Sequence, residues 1–98
     1  MITVKLTKSP KRDKKWRVIV PGPRAVDFGA KGYSDYTIHK DRARMRRYVA
    51  RHARQHENWS LATGLRTAGF WSRWLLWSEP SLEGAKRLMR RKFSMRFV

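Results

Sequence analysis

The sequence predicts an α+β fold, in which a small N-terminal β-hairpin or three-stranded meander is followed by about three helices and a basic C-terminal arm. Apolar and polar side chains alternate over residues 2–7 and 14–20, which is the pattern of half-buried strands. From residue 41 onward, apolar side chains instead recur at helical spacing. A chain of 98 residues accommodates one domain. We place this single compact domain at residues 1–83 and assign residues 84–98 to the end of the last helix and the arm.

The predicted strands are separated by turn-forming residues. A basic loop joins the first two strands, and Pro21-Gly22-Pro23 ends the second one. Residues 25–28 resume the alternation with Val26 and Phe28 facing inward, so a meander is the simplest arrangement. Glycines then end the third strand. Residues 30–39 are predicted to form an ordered loop, because their apolar side chains need burial.

The first predicted helix begins after Asp41 and runs to about Glu57. Asp41 suits the N-cap position, where its carboxylate accepts backbone N–H groups and meets the positive end of the helix dipole. A helical projection at about 100° per residue separates two faces. One face holds Met45, Tyr48, Val49, His52 and His56. The far side carries Arg44, Arg47, Arg51 and Arg54, which we call the arginine stripe.

Two further helices are predicted in the C-terminal half of the chain. Phe70, Trp74 and Trp77 recur at i, i+4 and i+7, which predicts an aromatic helix over residues 67–77. A stretch with serine and proline then predicts the N-terminus of a third helix. The predicted core consists of Trp16, Phe28, Tyr48, Phe70, Trp74 and Trp77. Aromatic residues on both sides of a short helix are difficult to bury within one chain, so Trp71 and Trp77 are the predicted interface residues.

Positive charge dominates the composition. The chain has 24 Lys and Arg against 7 Asp and Glu, which gives a net charge of +17. Such a density usually persists because a polyanion or an acidic partner neutralises it. Arginine donates two hydrogen bonds to a phosphate, and each neutralised phosphate releases counterions. The predicted nucleic-acid-binding residues are Arg44, Arg47, Arg51 and Arg54 of the arginine stripe, Lys11, Arg12, Lys14 and Lys15 near the first loop, and Arg87, Arg90 and Arg91 of the arm. Carboxylates bind the same guanidinium groups, so acidic protein surfaces are an alternative partner, and RNA is a third.

Several other kinds of chemistry find no support in the sequence. The absence of cysteine excludes disulfides, a thiolate nucleophile and cysteine-based metal sites. His52 and His56 stand one helical turn apart, but Glu57 is predicted to point off that face, so we expect buried or hydrogen-bonded histidines and no metal. The acidic residues show no paired-carboxylate spacing, and the serines lack a nucleophile-elbow context. We therefore predict no enzymatic activity and no cofactor.

The sequence also bears on where the protein is found. Residues 70–77 form the longest apolar run, which is far shorter than the roughly 20 residues that a membrane span requires. The strand-like N-terminus lacks the continuous apolar stretch and the cleavage site of a secretory signal. We therefore expect no membrane span and no export.

Two sequence blocks carry a resemblance to a known family. They are Gly32-Tyr-Ser-Asp-Tyr-Thr37 and Gly69-Phe-Trp-Ser-Arg-Trp-Leu-Leu-Trp77, within a likeness that runs from about Lys15 to Glu83. The chain resembles a family of short, basic, largely uncharacterised proteins of large DNA viruses of algae and protists. Where such sequences commonly carry Asn-Gly in the hairpin turn, this chain has Pro21-Gly22-Pro23. The resemblance implies a viral source and a small α+β domain, and it supplies no catalytic residues.

These observations lead to one hypothesis of function and one rival. The first is a non-enzymatic structural protein of a virion that contacts DNA phosphates without sequence specificity. The rival is a minor capsid or cement protein that docks on acidic surfaces of other capsid proteins, with its basic arms ordered only in the assembly. Either protein would be part of a larger assembly, located in the virion and, during assembly, in the host cytoplasm or nucleus.

Overall fold

The computed structural model describes residues 1–98, and its strands form one four-stranded sheet. The alternating segments form three antiparallel neighbours, β1 (Ile2–Lys8), β2 (Lys14–Val20) and β3 (Arg24–Ala30). A short fourth strand, β4 (Met95–Phe97), pairs in parallel with β1 and gives the order β3-β2-β1-β4. The predicted α+β class, with a hairpin layer followed by helices, is confirmed.

The register of the sheet places its apolar side chains on one face. Val18 of β2 lies opposite both Leu6 of β1 and Val26 of β3, and it is fully buried. On the other face, Arg17 lies opposite Asp27. A slip of one residue would exchange the two faces, so the hydrophobic pattern itself fixes the pairing.

The helices follow the strands and are mostly short. They are α1 (Tyr36–His39), α2 (Arg42–Ala53), α3 (Leu61–Gly64), α4 (Ala68–Trp71) and α5 (Leu82–Phe93). α4 continues directly as a π-helical segment, Ser72–Leu76. The longest helices, α2 and α5, have 12 residues each, and no helix reaches the length and apolarity that crossing a membrane requires.

Side-chain caps define where the two long helices begin. The Asp41 carboxylate accepts the backbone N–H groups of Ala43 and Arg44, as the predicted N-cap role requires. The Ser81 hydroxyl accepts the N–H group of Gly84 at the start of α5. These hydrogen bonds satisfy donors that have no partner inside the helix.

α2 ends at Ala53, earlier than the predicted end near Glu57. The chain turns at His56, which adopts a left-handed backbone conformation with a φ angle of 56°. The turn returns the Glu57 carboxylate to His52, 2.6 Å from the Nδ1 atom. This hydrogen bond favours the turn over a further helical turn, and it leaves His56 exposed beyond the helix rather than beside His52.

The π-helical segment orients three large side chains toward the core. Because each N–H group of a π-helix bonds to the carbonyl five residues back, side chains four and five positions apart share a face. Trp71, Leu75 and Leu76 have this spacing, and all three are buried. Trp71 is 0% exposed and packs against Phe28 and Phe97. The prediction of Trp71 as an exposed interface residue is therefore contradicted, because the residue lies in the centre of the core.

Residues 84–98 form part of the fold rather than a free arm. Ala85 and Met89 of α5 are fully buried in the main core cluster. Met95 of β4 is 0% exposed in the same cluster. The apolar side of the helix and the open edge of β1 together draw this segment into the domain. The predicted arm and the predicted domain boundary before residue 84 are corrected accordingly.

Candidate nucleic-acid interface

Most of the positive charge has no partner within the chain. Of the 24 Lys and Arg side chains, four form an ion pair with a carboxylate, namely Lys11, Lys15, Arg17 and Lys86. The whole arginine stripe and all the predicted binding residues of α5 lack such a partner. Their charge is therefore available to an anion outside the chain.

Four of the predicted binding residues line one cleft of about 490 Å³. Lys14 and Lys15 come from the start of β2. Arg44 and Arg51 come from α2, where a separation of seven residues places them on one side of the helix. Two basic clusters that are distant in sequence thus converge on one concave surface. Clefts lined by one sign of charge raise the local concentration of counter-ions.

The other predicted binding residues lie outside this cleft. Arg47 on α2 and Arg54 at its C-cap are exposed but do not line the cleft. Lys11 lies 3.5 Å from the Asp27 carboxylate, and Arg12 is exposed in the loop between β1 and β2. Exposed positions on α5 hold Arg87, Arg90 and Arg91. The structure therefore distributes the predicted residues over several basic surfaces and brings only part of them together.

One of the four cleft cations is neutralised by a buried acid. Asp35 is 2% exposed, and its carboxylate accepts hydrogen bonds from the Lys15 ammonium group at 2.7 Å and from the Thr37 N–H group at 2.9 Å. Asp35 is also the N-cap of α1, so the segment predicted as a loop is partly helical. The pair fixes the wall of the cleft, and Lys15 contributes little free charge to it.

A second carboxylate of the cleft, that of Glu57, is also engaged. It lies 2.6 Å from His52 Nδ1 and accepts a hydrogen bond from the Trp59 indole N–H at 3.1 Å. The expectation that Glu57 points away from His52 is therefore wrong, because the end of α2 turns the chain back. A Cβ atom at Gly69 would lie 3.3 Å from the carboxylate, so glycine leaves room for it. No grouping of acidic and histidine side chains in the chain suits a metal ion.

An aromatic stack forms the apolar floor of the cleft. The Tyr48 ring lies between His52 and Trp77, with centroid distances of 3.9 and 4.1 Å, and it is nearly parallel to Trp77. His39 covers another side of Trp77 at 5.4 Å. Burial, assisted by the nearby charge of Glu57, raises the pKa of the Tyr48 hydroxyl well above its usual range. Trp77, a predicted interface residue, is half-buried and lines the cleft with its ring already stacked.

Arg73 is a basic residue that the charge pattern of the sequence does not single out. Its guanidinium carbon lies 4.4 Å from the Trp74 ring centroid and 5.4 Å from that of Trp59. Its Nη1 group donates to the Trp77 carbonyl at 2.8 Å. Burial lowers the pKa of Arg73 from its ordinary value. This arginine is held by the aromatic segment and is only partly exposed, so it contributes less to the basic surface than the exposed arginines of α2 do.

Tyr33 is the aromatic residue of the cleft that stays open to solvent. The sequence predicts burial for the apolar side chains of its loop, whereas Tyr33 is 74% exposed and Ile38 60%. Gly32, with a φ angle of 89°, makes the turn that holds Tyr33 out at the rim. Nothing in the hydrophobic pattern distinguishes this tyrosine from the buried Tyr36, because the difference depends on the turn geometry.

The fold and this cleft define a small basic α+β protein with a concave cationic surface. Residues 4–52, half of the chain, match the family of unknown function DUF5754, and the chain belongs to this family. The matched segment includes most of β1, all of β2, β3 and α1 and most of α2, and with them all four basic residues of the cleft. Neither the curated proteins nor the solved structures include a significant match to the chain.

Proposed function

We propose that the protein is a non-enzymatic structural component of a virion that binds DNA through its phosphates, without sequence specificity. The observation that carries the proposal is the unpartnered charge of the basic side chains, of which only four of 24 pair with an acid. Cations of this kind displace condensed counterions from DNA, and this release drives binding that depends on the backbone alone.

The scaffold holds the arginine stripe in place on a short helix. The Asp41 cap fixes the start of α2, and the stack of Tyr48 on Trp77 fixes its inner face. All four arginines of the stripe are exposed along the helix. A rigid row of guanidinium groups loses less conformational freedom on binding phosphates than the same groups on a disordered tail would.

The resemblance to basic proteins of large DNA viruses supports a virion as the location of the protein, and the host cytoplasm or nucleus during assembly. The genome of a DNA virus is a polyanion, with one negative charge per about 1.7 Å of duplex. We therefore propose DNA as the partner within a larger assembly.

Binding of the purified protein to random duplex DNA across a salt series tests the proposal. Between about 50 and 200 mM salt, a protein that makes about 6 to 10 phosphate contacts loses about 10³ to 10⁵ in affinity. Replacing Arg44, Arg47, Arg51 and Arg54 together by Gln is expected to weaken binding and to reduce the salt slope by about 0.9 for each phosphate that the variant no longer neutralises. Circular dichroism controls for folding. Unchanged affinity and slope in the folded variant would show that the arginine stripe is not the binding surface.

The rival function lacks two of the features that it requires. A cement protein of the expected kind uses free basic arms and exposed Trp71 and Trp77, but residues 84–98 are folded into the domain, Trp71 is buried and Trp77 is half-buried. Weak binding to duplex DNA with a shallow salt slope would nevertheless overturn the DNA proposal and favour docking on acidic capsid surfaces.

A further inference from the structure

We infer that the cleft between β2 and α2 binds one nucleotide of a single-stranded nucleic acid, with its phosphate between Arg44 and Arg51 and its base on Tyr33. The inference rests on the proposed function, which it narrows from general phosphate contact to a site of nucleotide size. The structure offers three separate observations for it: unbalanced charge, an exposed ring and a matching volume.

The charge of the cleft is unbalanced at one end. Lys14, Arg44 and Arg51 all line the cleft, and none of them forms an ion pair in the structure. Of the two carboxylates that line the cleft, Asp35 is paired with Lys15, and Glu57 leaves one negative charge against these three cations. Three like charges around one concavity repel each other, and an anion seated among them relieves that repulsion. Guanidinium groups suit a phosphate because they donate paired hydrogen bonds to its oxygens.

The aromatic groups of the cleft divide into occupied and free rings. Tyr48 stacks on Trp77 and on His52, and Trp77 also contacts His39 at a tilted angle, so the two rings offer little open face to a ligand. Tyr33 takes part in no aromatic contact of the structure and is 74% exposed. Nucleic-acid bases stack on such rings whatever their identity, because every base has a π-face. An exposed ring and unpaired cations that line one cleft are the two kinds of group that bind a nucleotide.

The size of the cleft favours a single nucleotide over a duplex. Its volume of about 490 Å³ lies in the usual range of small-ligand sites. The lining includes small residues that leave this space open, namely Gly29, Ala30, Ala68 and Gly69. A base within a duplex is stacked on both sides and would have to be extruded to reach Tyr33, at a cost of a few kcal/mol. Single-stranded nucleic acid presents the same base without that cost.

The experiment uses two probes and two competitors at about 100 mM salt, where the screening length is about 10 Å. They are a short fluorescent oligothymidine, a hairpin duplex of random sequence, and unlabelled thymidine monophosphate with deoxyribose 5-phosphate as competitors for the oligothymidine. Stronger competition by the monophosphate than by the sugar phosphate shows that the base is bound. It also shows that the site accepts a free nucleotide. If the two competitors act equally but Tyr33→Ser weakens the binding of oligothymidine, the site binds a base only as part of a strand. The inference is overturned if the two competitors act equally and oligothymidine binds Tyr33→Ser, and Arg44→Gln with Arg51→Gln, as tightly as it binds the wild type.

Two matched pairs of variants separate stacking from charge. Tyr33→Ser removes the ring without changing the charge and is expected to lower the affinity for oligothymidine by between about fivefold and 100-fold, while Tyr33→Phe retains it. Arg44→Gln with Arg51→Gln removes two cleft cations, and Arg47→Gln with Arg54→Gln removes two from the same helix outside the cleft. We expect the first pair to weaken binding of oligothymidine at least about tenfold more than the second.

The outcomes distinguish the inference from the proposed function. If duplex binding is tight and salt-dependent but Tyr33→Ser binds oligothymidine as well as the wild type, the cleft inference fails and the general DNA proposal stands. If the oligothymidine affinity depends on Tyr33 while duplex DNA binds weakly, the duplex proposal fails and the nucleotide site stands. Equal losses in the two arginine pairs would also overturn the inference, because they would indicate a delocalised charge effect.

Discussion

Trp71 lies in the centre of the core, so its side chain is expected to contribute strongly to stability. Its ring is 0% exposed, and its indole N–H donates to the Leu65 carbonyl at 2.7 Å. We expect Trp71→Ala to lower the free energy of unfolding by about 3–5 kcal/mol, because the deletion leaves a large cavity in the core. Urea unfolding measures the loss. Trp77→Ala, at a half-buried position of the same segment, is the control and is expected to cost less. Equal costs for the two variants would contradict the buried position of Trp71.

The hydrogen-bonded carboxylate of Asp27 makes the stability of the protein depend on pH. Its carboxylate accepts two hydrogen bonds from Arg17, both at 2.9 Å, and one from Ser9 at 2.7 Å. The hydrogen bonds from Arg17 hold the pKa of Asp27 well below its usual range. The contribution to stability is therefore complete above the unfolded-state pKa of about 3.9 and is lost as the pH falls toward the native value.

Asp27→Asn tests this dependence. We expect the variant to be less stable than the wild type by about 1.5–3 kcal/mol at neutral pH, which is typical for a lost hydrogen bond to a charged group. The difference should narrow as the pH falls below about 4, because the wild type then loses the same contribution. Asp13→Asn is the control, since Asp13 is exposed and forms no ion pair. A gap between Asp27→Asn and the wild type that stays constant down to low pH would contradict the assignment.

At the scale of elements, substitutions in β4 distinguish a folded C-terminus from a free arm by their effect on the free energy of unfolding. Met95 is 0% exposed in the core, whereas the adjacent Arg96 is exposed on the opposite side of the strand. We expect Met95→Ala to cost about 2–5 kcal/mol of unfolding free energy and Arg96→Ala to stay within about 0.5 kcal/mol of the wild type. Thermal or urea unfolding measures both. Two neutral substitutions would show that the segment does not pair with β1.

Elements governed by local patterns were predictable from the sequence, and those governed by distant contacts were not. The period-two alternation indicated the three meander strands, the N-cap residue Asp41 indicated the start of α2, and the stretch with serine and proline indicated the start of α5. The end of α2 depends on the hydrogen bond of Glu57 to His52, which a helical projection does not contain. β4 is only three residues long and pairs with the other end of the chain, so no local pattern marks it.

The candidate site follows the same division. Residue type and charge density were sufficient to select Lys14, Arg44 and Arg51 as binding residues. Their convergence on one cleft depends on where the tertiary fold places α2 relative to the start of β2. The exposure of Tyr33 depends on the turn at Gly32. A charge pattern in sequence therefore predicts an anionic ligand, and only the structure shows which cations can share one.

For the molecule as a whole, the net charge of +17 opposes folding and favours binding. The molecule measures 35 × 30 × 25 Å. The screening length is about 30 Å at 0.01 M salt and about 8 Å at 0.15 M. At low salt almost every cation therefore repels every other across the molecule, whereas at physiological salt only neighbouring cations do.

Added salt is therefore expected to stabilise the folded protein and to weaken its binding to DNA. The Tm should rise as KCl is increased from about 0.01 to 0.15 M, by about 4–8 °C for each kcal/mol of repulsion that is screened. Differential scanning calorimetry measures the shift, with chloride in place of sulfate because sulfate strengthens apolar burial in any protein. A Tm that falls with salt would mean that the few ion pairs outweigh the repulsion. At low salt, adding duplex DNA should also raise the Tm, because DNA bound to the folded chain neutralises the same cations whose repulsion the salt would screen.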